Sequence, residues 1–233
     1  MKTKFIEEEV KYIGSQLAPH WIYKNYKIQG DAIVAFIGEC KVDLTEMVDI
    51  EDVINNEPIY SKLMLSFITE QFGVELSEGV FRQRLLICII KELLEERGVF
   101  VVRNGDDLMI DGKKLSVSIA TKSVTSVLIH TGLNILSEGA LVSASGLTSE
   151  LGITDVKEFA IEVMHRYSLE LEDIKNKIIE FCRIPKSASE ILKEFNLERS
   201  YFRRHYLDRM LKIGELKRTE PDKPKSKNQK YYS

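Results

Sequence analysis

The chain has 233 residues, which is enough for one large domain or for a medium domain with a small accessory module. Hydrophobic residues make up 44% and charged residues 30%, close to the averages of soluble globular proteins, so the composition excludes wholesale disorder and collagen-like structure. The net charge of -3 is unevenly distributed: residues 183–233 carry 14 Lys and Arg against 7 Asp and Glu (+7), and the other 182 residues carry 19 against 29 (-10). An acidic main part with a basic end is expected when only the end meets a polyanion, although a solvated basic surface with no partner gives the same pattern.

Turn residues and apolar spacing predict the elements of the first 73 residues. Gly30 and Gly38 bracket an apolar run that predicts a buried strand over 31–37. Asp49 is a suitable cap for a helix over 49–55, and the apolar spacing over 59–73 predicts a second helix that ends at Gly73.

The next hundred residues change from a helical to a strand period and back. Apolar residues at helical spacing predict a helix over 80–97, ended by Gly98. Alternation then predicts hairpin strands over 99–102, 108–110 and 115–120, with a tight turn at Asp111-Gly112. A further strand over 124–136 and a helix from Asp155 to about Leu171 follow. We therefore predict an α+β domain over 1–171, with a mixed or antiparallel sheet and packed helices.

Residues 103–134 are unusually polar for strands beside a core. Strand alternation places Lys114, Ser116, Ser118 and Ala120 on one face, with Leu115, Val117 and Ile119 toward the core. A cation among small hydroxyls suits a carboxylate or a phosphate, so we expect a small anionic ligand here. The candidate ligand-binding residues are Lys114, Ser116, Ser118, Thr121, Asp106, Asp107, Arg103, His130, Asn134, Gly30 and Asp31.

Several of these motifs resemble those of the lipoate and biotin protein ligases, whose catalytic fold is related to class II aminoacyl-tRNA synthetases. The matching segments are Asp106-Asp107-Leu108, Lys114-Leu115-Ser116-Val117-Ser118 and His130-Thr131-Gly132-Leu133-Asn134. The resemblance implies that Lys114 contacts the substrate carboxylate and the adenylate phosphate. More closely, residues 1–170 resemble an uncharacterised, mainly archaeal family, domain-of-unknown-function family 366, through His20-Trp21, residues 30–36, Met47-Val48-Asp49, residues 82–85 and residues 114–121.

The chain departs from the ligase pattern where those enzymes hold ATP. Val117 stands where the ligases have a glycine that lets the backbone approach the adenylate, and no glycine-rich phosphate loop is present. Gly30-Asp31 is a poor substitute because an aspartate repels phosphate. Asp106 and Asp107 suit either Mg²⁺ or ordinary turn chemistry, and a lone His130 suits either a ligand-binding or a structural role. The sequence identifies no metal site, names no cofactor and does not establish catalysis.

The C-terminal residues 172–233 resemble a winged helix. The predicted elements occur in the order that is typical of this module. They are a helical face at 174–181, a capping box at Ser187 to Glu190, a helix over 199–212 ended by Gly214, and two short strands around a basic loop at 221–229. The predicted contacts to duplex DNA are Arg199, Arg203, Arg204, Lys223, Lys225 and Lys227, although winged helices also serve as dimerisation or docking modules.

Three functions stay open at this point. The protein is a ligase-like catalytic or ligand-binding domain fused to a nucleic-acid-binding module, a ligand-sensing transcription regulator without catalysis, or a structural homodimer. No apolar run approaches the ~20 residues of a membrane helix, and Met1 to Ile6 is followed at once by three glutamates. Three scattered cysteines cannot form a disulfide framework. We expect a cytoplasmic protein with no membrane partner.

Overall fold

The computed structural model describes residues 1–43, 45, 54, 59–140, 142–195 and 197–233, with the backbone alone at 173, 201 and 205. The chain forms two compact units, Met1–Ser168 and Leu169–Ser233. The helix predicted over 49–55 falls almost wholly outside the described residues, as does Met47-Val48-Asp49.

The strands of the first unit are β1 Lys2–Phe5, β2 Ala32–Val42, β3 Ile59–Phe72, β4 Val102–Asn104, β5 Asp107–Ile110, β6 Lys113–Lys114, β7 Ser116–Lys122 and β8 Ser126–Asn134. Five of them form the main sheet, in the order β1-β2-β3-β8-β7. In this sheet β1 pairs in parallel with β2, and the other three pairs are antiparallel. The mixed α+β class is confirmed, and so is the strand predicted over 31–37.

The helix predicted over residues 59–73 is wrong, because this segment is the central strand β3. The segment is rich in the β-branched and aromatic residues that suit a pleated, half-buried surface, such as Tyr60, Phe67, Ile68 and Thr69. Residues 64–71 are all buried because both faces of the sheet are covered, so polar and apolar residues do not alternate. Without that alternation, the apolar spacing fitted a helix equally well.

Two different segments cover the two faces of the sheet. On one face, helix α2 (Leu76–Glu96) packs against β7 and β8, and it confirms the helix predicted over 80–97. On the other face, the N-terminal segment with helix α1 (Trp21–Tyr26) buries Tyr12 and Ile22 against Phe36 and Met64. Gly132 in β8 packs directly against the Met64 side chain. A Cβ atom at this position would come within 2.3 Å of the Met64 sulfur, so only glycine fits here without a shift of Met64.

A small three-stranded sheet, in the order β4-β5-β6, carries the polar stretch. The turn between β5 and β6 is Asp111-Gly112, as predicted, and both residues have positive φ angles of 47° and 75°. These angles are the left-handed conformation that a two-residue hairpin turn requires. The strand predicted over 99–102 begins only at Val102 and continues to Asn104.

The second unit combines short helices with a small antiparallel sheet. Helix α3 (Val156–Phe181) begins in the first unit, and it does not end near Leu171 as predicted but continues for ten more residues, because apolar residues recur at helical spacing up to Phe181. The capping box is confirmed, since the Ser187 hydroxyl accepts the Glu190 N–H and the Glu190 carboxylate accepts the Ser187 N–H. The other elements are α4 Ala188–Glu194, α5 Arg199–Phe202, a wide π-helical turn Arg203–Leu207, α6 Asp208–Ile213, β9 Lys186–Ser187, β10 Lys217–Arg218 and β11 Lys230–Tyr232.

The sheet of this unit has the order β10-β11-β9, and Gly214 ends α6 with a φ of 81°. Its core is formed by Ile178, Cys182, Phe202, Met210 and Tyr231. Throughout the part of the chain that the structure describes, every helix is too short or too polar to cross a membrane.

Candidate functional site

An ion pair between Asp107 and Lys114 lies at the centre of the predicted ligand-binding stretch. Asp107 begins β5 and Lys114 ends β6, and the Lys114 Nζ lies 3.2 Å from the Asp107 Oδ2. Both side chains remain about one third exposed, at 37% for Lys114 and 33% for Asp107. Burial raises the pKa of Asp107, and the charge of Lys114 offsets part of that effect. The pair is therefore accessible to a small molecule without being fully hydrated.

The backbone of Lys114 is held from two directions while its ammonium stays at the surface. Its N–H donates to the carbonyl of Ser143 at 2.9 Å, and its carbonyl accepts the N–H of Ser145 at 3.0 Å. The side-chain amide of Asn134 also donates to this carbonyl at 3.4 Å. The loop around residues 143–145 thus fixes the position of Lys114 on the edge of the small sheet.

Asp106 belongs to a second polar group that sequence reasoning found only in part. The Gln83 Nε2 on α2 donates both to the Asp106 carboxylate, at 2.9 Å, and to the Ser118 hydroxyl, at 3.0 Å. Arg84 lies 3.8 Å from the other Asp106 oxygen. Gln83 carries no chemical motif of its own, and only the packing of α2 against β7 brings it to the candidate residues. Of the two arginines at positions 82 and 84 on α2, Arg84 is the one that faces Asp106.

The row of hydroxyls predicted beside Lys114 is differently arranged. Ser116 is 1% exposed, and its hydroxyl accepts the backbone N–H of Leu108 at 2.8 Å. The Ser118 hydroxyl lies 2.8 Å from that of Thr131 and 3.1 Å from the carbonyl of His130. Lys114 belongs to β6, and Leu115 separates it from β7, so the alternation along β7 does not extend to Lys114. Both serines satisfy their hydrogen bonds inside the protein, since the strands here are covered on both faces.

Four other candidates lie away from the Asp107–Lys114 pair. His130 is buried on the opposite face of the sheet, stacked on Tyr12 at 3.7 Å between ring centroids, with its Nε2 3.3 Å from the Ser66 hydroxyl. Burial lowers the pKa of His130 to about 3, so its imidazole is neutral. Thr121 stands five residues beyond Ser116 along β7, a distance of about 17 Å at the rise of an extended strand.

Gly30 and Asp31 stand at the far end of the main sheet. The Asp31 Oδ1 accepts the N–H of Phe72, the last residue of β3. Ser116 pairs with Leu133, which pairs with Leu65 and through it with Ile37, so Asp31 is six residues and about 20 Å from that end of the sheet. Arg103, by contrast, lies on β4 of the small sheet, opposite Leu108, and its exposed side chain donates to the Gly105 carbonyl at 2.5 Å. Among the described residues, no three His, Cys, Asp or Glu side chains are arranged to hold a metal ion.

The second unit presents the predicted basic residues to solvent. Arg199, Arg203 and Arg204 are exposed on the helical segment 199–213, and Lys223, Lys225 and Lys227 are exposed on the loop between β10 and β11. The Arg203 Nε lies 3.5 Å from the Asp208 carboxylate, which offsets part of its charge. The two ends of the loop are joined, because the N–H groups of Thr219 and Lys230 donate to the Lys230 carbonyl and the Thr219 hydroxyl, both at 3.0 Å.

Comparison with known families covers both units. Residues 1–181 match the model of a family described as Domain of unknown function (DUF366). The chain belongs to this family. Residues 172–232, which overlap the end of the DUF366 match, are similar to the C-terminal domain of Fic-like proteins (filamentation induced by cAMP).

Relatives of the DUF366 region are themselves uncharacterised. A protein of Methanocaldococcus jannaschii is 36% identical over 184 residues, covering 76% of this chain and 83% of that protein. A solved structure of a protein of unknown function from Pyrococcus horikoshi is also 36% identical, with a TM-score of 0.71, and covers 76% of this chain and 96% of that one.

The fold is that of the biotin and lipoate protein ligases. The biotin protein ligase of Aquifex aeolicus, solved in complex with biotin and ATP, aligns with a TM-score of 0.51 over 78% of this chain and 75% of the ligase, at 18% identity. At that identity the likeness shows the fold alone, so function has to be argued from the residues of this chain.

Proposed function

We propose that the DUF366 unit binds a small anionic molecule, a carboxylate or a nucleotide-like ligand, at Lys114. The observation that carries this proposal is that the Lys114 side chain is about one third exposed while the loop at 143–145 holds its backbone by hydrogen bonds. A residue whose backbone is fixed loses less conformational freedom when a ligand binds to its side chain, so more of the electrostatic attraction contributes to affinity. Arg103 and Arg84 supply further positive charge near the same hairpin.

Mass spectrometry of the purified full-length protein under native conditions tests this site. We expect a co-purified anionic small molecule that is lost in Lys114→Ala. Lys113→Ala is the matched control, because Lys113 is the exposed neighbour on the same strand and is close to Glu150 rather than Asp107. Retention of the ligand by Lys114→Ala, or equal loss in both variants, would argue against Lys114 as the binding residue.

For the second unit, we propose a winged helix that binds duplex DNA. Three exposed arginines on the helical segment 199–213 and three exposed lysines on the adjacent loop support the proposal, because a helix in the major groove and a basic loop on the phosphates are the two contacts this module uses. The net charge of +7 over residues 183–233 also favours binding to the negatively charged DNA backbone.

Fluorescence anisotropy of the full-length protein with a labelled duplex tests the second proposal. We expect binding at low salt that weakens steeply as salt is added. An Arg203→Ala, Arg204→Ala double variant should bind more weakly, whereas Lys24→Ala in the first unit should not. If the protein ignores duplex DNA at low salt, the docking-module alternative replaces DNA binding; a stable homodimer without ligand or DNA would favour the structural role.

A further inference from the structure

We propose that the Asp107–Lys114 pair binds the zwitterionic head group of an α-amino acid, with Lys114 on its carboxylate and Asp107 on its α-ammonium. This inference rests on the proposed ligand site at Lys114 and narrows its ligand class. It starts from a property that the sequence did not reveal: the cation expected to attract an anion already has an anion of the protein beside it, at 3.2 Å.

A ligand with only a negative charge would have to compete with Asp107. If it drew the ammonium of Lys114 away, the Asp107 carboxylate would lose its cation in a partly buried position. Burial already raises the pKa of Asp107 with Lys114 present, so the lone carboxylate would be less favourable still. A simple carboxylate therefore replaces the ion pair between Lys114 and Asp107 by one between Lys114 and the ligand, and the net gain in binding free energy is small.

A zwitterion has no such conflict, because it brings a cation for Asp107 together with an anion for Lys114. The ammonium nitrogen and a carboxylate oxygen of an α-amino acid are about 3 Å apart by standard bond lengths. The two protein charges are separated by nearly the same distance, 3.2 Å. Placed antiparallel to the protein pair, the ligand completes a ring of four alternating charges in which every charge has two opposite neighbours. Amino acids with the ammonium several carbons away from the carboxylate do not match this spacing.

The surrounding contacts keep the two protein charges available for such a ligand. Asp106, which precedes Asp107 in the chain, is already bound by Gln83 and faces Arg84. Lys113 interacts with Glu150 instead. The hydrogen bonds of Lys114 to residues 143 and 145 hold one half of the pair in position, and β5 holds the other.

Calorimetric titration of the full-length protein tests the inference. The probes are the twenty standard α-amino acids, the matching acids without the amino group (3-phenylpropionate for phenylalanine, for example) and the N-acetylated amino acids. We expect at least one amino acid to bind about tenfold or more tightly than both of its matched compounds, the effect of one charge-assisted hydrogen bond. Asp107→Asn should abolish this preference, and the matched control Asp111→Asn, in the exposed turn of the same hairpin, should retain it.

The outcomes separate this inference from the broader proposal. If the deaminated acids bind and the amino acids bind no better, the zwitterion inference is overturned while an anion site at Lys114 stands. If no amino acid or acid binds, the zwitterion inference and the carboxylate form of the broader proposal are overturned, and the mass-spectrometric comparison of Lys114→Ala with Lys113→Ala decides whether a nucleotide-like anion binds instead. If Asp107→Asn does not fold, the comparison of amino acid with N-acetylated amino acid on the unmodified protein decides the question by itself.

Discussion

Replacing the three loop lysines, Lys223, Lys225 and Lys227, by alanine should change how DNA binding responds to salt more than it changes any other property. All three side chains are exposed, so their removal leaves the core of the second unit intact. Each lysine that neutralises a phosphate releases a condensed counterion when DNA binds. The slope of the logarithm of the binding constant against the logarithm of salt concentration therefore counts these contacts.

The expected magnitude follows from the exposed cations. The six predicted contacts include Arg203, which has Asp208 beside it, so about five phosphates are effectively neutralised, giving a slope of about -4.5 at ~0.9 per contact. Raising salt from about 50 to 200 mM should then weaken binding about 500-fold in the parent protein. Without the three lysines the slope should fall to about -2, and the same change in salt should weaken binding only about 15-fold.

Anisotropy titrations of the full-length protein at four or five salt concentrations give both slopes. The control replaces three exposed lysines of the first unit, Lys11, Lys24 and Lys41, by alanine, which removes the same net charge from the protein. That variant should keep the slope of the parent. An unchanged slope in the loop variant, or equal changes in both, would refute the assignment of these lysines to phosphate contacts.

Four further outcomes follow from the first unit. ATP–pyrophosphate exchange with lipoate or biotin should stay at background, since the phosphate loop is missing and Val117 replaces a glycine; robust exchange would contradict this. Lys114→Ala should abolish anion binding but change the free energy of unfolding by less than about 1 kcal/mol in chemical denaturation, because its ion pair is about one third exposed. Gly132→Ala should destabilise by about 1–3 kcal/mol through overpacking, and adding Met64→Ala should remove the steric conflict, leaving only the cost of the Met64 truncation. Because the folded pKa of His130 is about 3, stability should fall as the pH drops below the ordinary histidine pKa of about 6.5, and His130→Phe should flatten that fall in acid denaturation curves.

Local chemistry explains the features that the sequence predicted correctly. The Asp111-Gly112 turn needs only two residues that tolerate positive φ, and the Ser187 capping box needs only one hydroxyl and one carboxylate three residues apart. Helix α2 was predicted from its apolar stripe, because the helix is buried along one side. Signals of this kind depend on residues close together in the chain.

The errors arose where distant parts of the chain decide the environment. Strand β3 lacks alternation because both of its faces are covered: the N-terminal segment packs against Met64 and Ile68, and Tyr167 of α3 accepts a hydrogen bond from Gln71. Neither partner is adjacent to β3 in sequence. The same limitation affected the candidate site. The partners of Ser118 include Gln83, 35 residues away, so its hydroxyl is engaged in a contact that strand periodicity cannot reveal.

The short strand β1 determines what the edge of the main sheet presents to other molecules. Its four residues, Lys-Thr-Lys-Phe, cover part of β2, an eleven-residue strand whose residues Ala32 to Phe36 are entirely buried. Its lysines are exposed on the outermost strand, where charge discourages another chain from adding on. Proteolytic loss of these few residues would uncover a long apolar edge with unpaired backbone groups, and the trimmed protein should aggregate by strand-to-strand association. A purified sample should therefore be checked by mass spectrometry for the first five residues, because their loss is expected to cause aggregation.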